Sequence, residues 1–153
     1  MKTCFFIGHR DAPESIYDRL LTVVERHISE YGVTDFVVGR YGNFDHLAAR
    51  AVIEEKRNHA DVTLTLLMPY YHADADPLPD GFDGSLFPEG LETVPKRAAI
   101  LRANQYMIHH CDYLIAYDAG RIGNTRKLVA EAGRIGKLCL ESIALDHESC
   151  IDE

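Results

Sequence analysis

No stretch of this 153-residue chain approaches the ~20 consecutive apolar residues that a membrane-spanning helix needs. The apolar run at Cys4–Ile7 is also too short for a signal-peptide core, and Arg10 and Asp11 close it, so no secretory leader is expected. Basic charge is in short supply. The net charge of −8 argues against DNA and against an anionic membrane surface as partners, while leaving room for a local basic pocket. Cys4, Cys111, Cys139 and Cys150 show no CxxC or zinc-type spacing, which predicts reduced thiols in a cytoplasmic protein. The histidines form neither HxH nor HExxH, so no metal is expected. Internal repeats, linkers and low-complexity tracts are missing as well. The length then predicts one domain over residues 1–145 and a polar tail over 146–153.

What is present is an alternation. Lys2–Ile7 reads as a buried strand ending at Gly8-His9-Arg10. Asp11, Pro13 and Glu14 then carry a helix start, with Asp11 as cap and Gly32 as the stop. Asp35–Val38 is a second strand, closed by Gly39-Arg40-Tyr41-Gly42, with Asn43 or Asp45 placed to cap the next helix. Val62–Met68 is a third strand. Residues 69–92, rich in proline, glycine and acids, break the rhythm and read as a surface loop covering a site, with Phe82, Leu86 and Phe87 as anchors. A helix from Val94-Pro95, a strand at Asp112–Tyr117, a helix opening at Asn124-Thr125 and a strand at Lys137–Ile143 complete the series. The pattern predicts an α/β fold: a three-layer, Rossmann-like sandwich with a mostly parallel five-stranded sheet.

Ligands of such sheets bind beyond the carboxyl ends of the strands. The residues expected there are Gly8, His9, Arg10, Gly39, Arg40, Gly42, Asp45, Asp118, Gly120, Arg121, Gly123, Asn124 and Thr125. Glycine permits close approach to the main chain, and a helix start offers free N–H groups and a positive dipole end, so Gly123–Thr125 reads as an anion cradle. Arg10, Arg40 and Arg121 carry the charge that would neutralise a phosphate. Asp45 suits either helix capping or a ribose hydroxyl, and Asp118 either acid/base work or the orientation of an arginine.

The order of these motifs resembles a known family. Phe5-Phe6-Ile7-Gly8-His9-Arg10 is similar to the strand-plus-GHR opening of YpsA-like proteins. These belong to the SLOG superfamily of Rossmann-like domains, with the Smf/DprA proteins and the Lonely-Guy (LOG) enzymes. Gly39–Asp45 resembles the family's second glycine loop, and Gly123-Asn124-Thr125 its step into the last helix, so the likeness runs from about Lys2 to Leu140. The resemblance implies a nucleotide or nucleotide-derived ligand and no required cofactor. Frequent dimers among relatives imply a homodimer as one assembly open to this chain. It also singles out Arg97, on a helix comparable to the one that carries the LOG arginine. The LOG glutamate has no counterpart: Lys127 and Leu128 stand where an acid would be, and Glu131 lies a turn further on.

The expected function is therefore binding, or sensing, of a nucleotide or nucleoside phosphate. The alternative is an enzyme, a nucleoside 5'-monophosphate N-glycosidase (phosphoribohydrolase) or base-exchange transferase, in which Arg97 and Asp118 would be the catalytic residues.

Overall fold

The computed structural model describes residues 1–70, 78–120, 123–135 and 138–143. Among the described residues are six strands and four helices, alternating except that β4 follows β3: β1 (Lys2–Gly8), α1 (Tyr17–Ser29), β2 (Val33–Val38), α2 (Asn43–Lys56), β3 (Thr63–Leu67), β4 (Gly84–Leu86), α3 (Lys96–His110), β5 (Tyr113–Tyr117), α4 (Asn124–Gly133) and β6 (Cys139–Ser142). The strands form one sheet in the order β4-β3-β2-β1-β5-β6, and every neighbouring pair is parallel.

Parallel strands are buried on both faces, which is why β1 reads as the continuous run Cys4-Phe5-Phe6-Ile7 instead of an alternation. Its side chains divide between two cores. Cys4 and Phe6 join Phe36, Val38 and Leu64 beneath α1 and α2, while Phe5 and Ile7 join Val37, Leu67 and Leu114 beneath α3 and α4. The result is a three-layer, doubly wound, Rossmann-like sandwich. Its winding reverses between β1 and β5, so the crevice where ligands bind in such sheets opens above Gly8 and Tyr117.

The sheet has one more strand than the sequence pattern shows, and no antiparallel member. The extra strand, β4, lies inside the segment read as a covering loop. It is three residues long, too short to show a period, and it is held by side chains far away in sequence. Asp83 Oδ2 accepts the Leu64 N–H at 2.8 Å and Lys56 Nζ at 2.6 Å, and Met68 N–H donates to the Leu86 carbonyl at 2.7 Å. The Lys56 ammonium draws the Asp83 carboxyl below the usual range. Phe82 packs on one core and Leu86, Phe87 and Leu91 on the other, so residues 78–92 rest on the sheet edge. Residues 71–77 of that segment, and the tail at 146–153, lie outside the described residues.

Helix starts also differ. Asp11 does not cap α1: a 3₁₀ turn at Glu14–Ile16 intervenes, with Pro13 before it, and α1 begins at Tyr17 without a side-chain cap. In α2 the cap position belongs to Gly42, so Asn43 and Asp45 fall inside the first turn. Among the described residues no helix is long and apolar enough to cross a membrane, and Cys4, Cys111 and Cys139 are unpaired thiols.

Gly8 ends β1 against the ring of Phe44, which is fully buried; a Cβ at Gly8 would overlap that ring. Gly8→Ala is therefore expected to lower stability by about 1–3 kcal/mol through overpacking. Urea denaturation checks it: an unchanged midpoint at unchanged slope would mean that the contact tolerates a methyl group.

Candidate functional site

The turn after β1 and the first turn of α2 are joined backbone to backbone. The Asn43 N–H donates to the Arg10 carbonyl at 2.7 Å, and Asn43 Nδ2 donates to the Ala12 carbonyl at 2.5 Å. Gly42 allows this, because a Cβ there would lie 2.6 Å from the Arg10 Cα. The main chain of Arg10 is thereby held against the start of α2, and its side chain stays exposed.

Across the crevice, α4 begins at Asn124 with Gly123 in the cap position. Gly123 has φ 152°, a conformation that side chains disfavour, so the step into the helix needs glycine. Among the described residues no side chain caps α4, so its first-turn N–H groups are left for a ligand or water; α2 also lacks a side-chain cap, but its first N–H, that of Asn43, is taken by the Arg10 carbonyl. Both helix starts reach the same space from opposite layers of the sandwich.

His9 ties the two sides together. Its Nε2 accepts the Ala119 N–H at 2.9 Å, and its ring meets Tyr117 edge-on at 5.6 Å. A nitrogen that accepts an N–H carries no proton, so the neutral ring has its hydrogen on Nδ1. Asp118 Oδ1 lies 3.5 Å from the same Nε2 and accepts the Gly120 N–H at 2.9 Å. Asp118 thus shapes the loop after β5.

The third wall is α3. Arg97, Ile100, Leu101 and Asn104 follow one another at helical spacing and all face the cleft, with Leu67 and Pro69 beside them. The enclosed volume is about 400 Å³. That falls in the range of small-molecule sites.

The electrostatics favour an anion. Among the described residues, neither the Arg10 nor the Arg97 side chain has an ion pair or hydrogen bond. Among the described residues Asp45 is the one carboxylate on the lining. It sits in the first turn of α2 and reaches back to accept the Tyr41 N–H at 3.1 Å. Burial pushes its carboxyl up to about 6, against a smaller lowering by that N–H. Beside it, burial and a hydrogen bond with Tyr70 push the Tyr41 phenol up to about 12.

Of the residues expected at the site, the cleft gathers Gly8, His9, Arg10, Gly39, Gly42, Asp45, Gly123, Asn124 and Thr125, together with Arg97. Arg40, Asp118 and Gly120 stand off the lining: Arg40 is exposed, and the other two belong to the loop bonds just described. Arg121 lies outside the described residues. Glu131 is engaged elsewhere, 2.8 Å from His109 Nε2. Among the described residues no cluster of side chains suits a metal ion. Sequence reasoning missed Tyr41, Leu67, Pro69, Leu101 and Asn104. For Asn104 a signal existed, since it repeats the position of Arg97 two helical turns later. For Pro69 there was none, because a strand-ending proline has many uses. No protein-family model and no curated protein matches the chain, so the case for a site rests on this geometry and its chemistry.

The raised Asp45 carboxyl has a consequence for stability. Its folded value of about 6 exceeds the ordinary 3.8. The folded state therefore holds the proton more tightly, and this contribution is full below pH 3.8 and lost as pH rises through 6. Asp45→Asn keeps the size and removes the buried charge. Relative to the wild type, its stability is expected to improve by about 2–3 kcal/mol between pH 4 and pH 8. Denaturant midpoints measured across that range check this, and a difference that does not vary with pH would refute the burial of a charge at this position.

Proposed function

We propose that the cleft binds a nucleotide or nucleoside phosphate. The phosphate lies against the first turn of α4 at Gly123–Thr125, with Arg10 and Arg97 supplying positive charge. One observation carries the reading: two helix starts without side-chain caps, and two arginines that have no ion pair among the described residues, converge on a cleft of small-molecule size at the switch point of a parallel sheet. Helix N-termini and guanidinium groups directed at one cleft create a positive potential that favours an anion. Asp45, on the opposite wall, supplies acceptor oxygens for sugar hydroxyls. The order of glycine turns at three strand ends supports kinship with the SLOG domains, and the unpaired buried thiols Cys4 and Cys111 suit a reducing, cytoplasmic setting.

Isothermal titration against nucleoside monophosphates, cyclic nucleotides, NAD and ADP-ribose tests this reading. Binding of at least one of them is expected, and it should weaken tenfold or more in Arg10→Ala and Arg97→Ala, since each removes a charge-assisted contact to phosphate. No binding across the panel at high protein concentration would sink the proposal.

A second reading, N-glycosidic cleavage of a nucleoside monophosphate, is favoured by Asp45 specifically. A carboxyl group that titrates at about 6 can hold or release a proton near neutral pH, which acid/base chemistry needs. It would compensate for the acid missing from α4. Asp118 would contribute through the loop it shapes. Free base released from nucleoside monophosphates, followed by chromatography, is the readout. Asp45→Asn is expected to slow the release by about a hundredfold or more while phosphate binding persists. Undiminished release in that variant would remove Asp45 from the chemistry.

A further inference from the structure

Asn104 is a polar group that the fold itself does not use. It is half-buried on α3, two turns beyond Arg97, and lines the cleft together with Leu67, Leu101 and Leu128. Among the described residues its amide has no hydrogen-bond partner. No buried side-chain atom in that part of the protein is left unsatisfied, so the amide reaches the open volume of the cleft. An amide on the lining of a cleft loses water when a ligand enters, and that loss is unfavourable unless the ligand offers a matching donor and acceptor.

The position also sets a length. Seven residues of helix separate Arg97 from Asn104, about 10 Å along the axis. A ligand with its phosphate near Arg97 reaches Asn104 only if it carries a further group beyond the sugar. A planar heterocycle with an adjacent donor and acceptor on its edge meets both demands: its faces lie on the aliphatic side chains, and its edge pairs with both atoms of the amide. Resting on the nucleotide reading above, we propose that Asn104 is the specificity-determining residue for the base, and that the ligand is a nucleoside phosphate bound through an amide-like edge of that base.

The test titrates the full chain and two variants, Asn104→Leu and Asn104→Asp, with AMP, GMP, CMP, UMP and ribose 5-phosphate. Leucine suits a half-buried helical position and keeps the approximate size without polarity; aspartate keeps the shape and can only accept when ionised. The wild type is expected to bind at least one nucleoside monophosphate tenfold or more tightly than ribose 5-phosphate. Asn104→Leu should erase that margin while changing the affinity for ribose 5-phosphate less than twofold. Asn104→Asp should shift preference toward GMP, whose adjacent N1–H and N2 amino groups both donate to a carboxylate, and away from UMP, whose single N3–H is flanked by two carbonyls. A margin that survives in Asn104→Leu overturns the assignment and leaves the nucleotide reading standing. A wild type that binds ribose 5-phosphate as tightly as any nucleotide overturns it in the same way. If neither the sugar phosphate nor any nucleotide binds, the nucleotide reading fails, and the role of Asn104 fails with it.

Discussion

The close approach of the chain at Gly8–Arg10 to the first turn of α2 is the constraint on which the site depends. Phe44 occupies the space that a side chain at residue 8 would need, and Gly42 lets the Arg10 backbone lie against the helix start. One consequence is mechanical. Phe44 stacks on Tyr117 at 6.2 Å, and Tyr117 meets His9, which holds Ala119, so packing in the core runs without a break to the loop before α4. The two sides of the crevice are thus fixed relative to each other by aromatic contacts and one ring nitrogen. Rigidity of this kind keeps two helix starts aimed at one point without a ligand present.

Charge in this chain works at two scales. The net charge of −8 describes the surface as a whole, yet the cleft is lined by Arg10, Arg97 and two helix N-termini. Within a cleft, distances are short and water is partly excluded, so local groups outweigh the distant acids, which solvent screens over about 10 Å. Asp45 is the exception, and its position explains its behaviour. Neither arginine pairs with it, and a single N–H accepts the burden of its charge. An amide at this position would avoid the burial of charge, so the carboxyl is held here at a cost to stability above its titration range.

Much of this was legible in the sequence, for identifiable reasons. Buried parallel strands announce themselves as apolar runs, and glycines that follow them mark the turns, so β1, β2, β5 and the start of α4 could be read directly. The glycines were legible as turns but not as to cause: Gly8 and Gly42 serve backbone packing, whereas Gly123 serves an unusual dihedral. β4 was hidden because three residues have no period and its partners, Lys56 and Leu64, lie about twenty residues or more away. Asp118 and Arg40 looked like site residues because they end strands. Which way a strand-end residue faces depends on the path of the following loop, and sequence does not encode that locally. The α3 wall was hidden for a different reason. A helix that carries Asn104 among Ile100, Leu101 and Ala103 has only a weak amphipathic signature, so Arg97 was singled out through the family resemblance alone and Asn104 was not singled out at all.

The geometry also sharpens the distinction between holding a nucleotide and cutting one. In the LOG pattern the acid stands on the helix that cradles the phosphate, at a place here taken by Lys127 and Leu128. The carboxyl group that can titrate near neutrality is instead on α2, in the opposite layer. A ligand with its phosphate on α4 and its base on α3 would lie largely along one layer, and only its sugar would cross to meet Asp45. Whether that carboxyl accepts hydroxyl protons or delivers a proton to a departing base then depends on how far the glycosidic bond leans across the crevice. On the proposed reading, contacts to the base on α3 and proximity of the glycosidic bond to Asp45 on α2 pull the ligand toward opposite layers, so base affinity and acid/base use of Asp45, among the described residues the one acid on the lining, would compete.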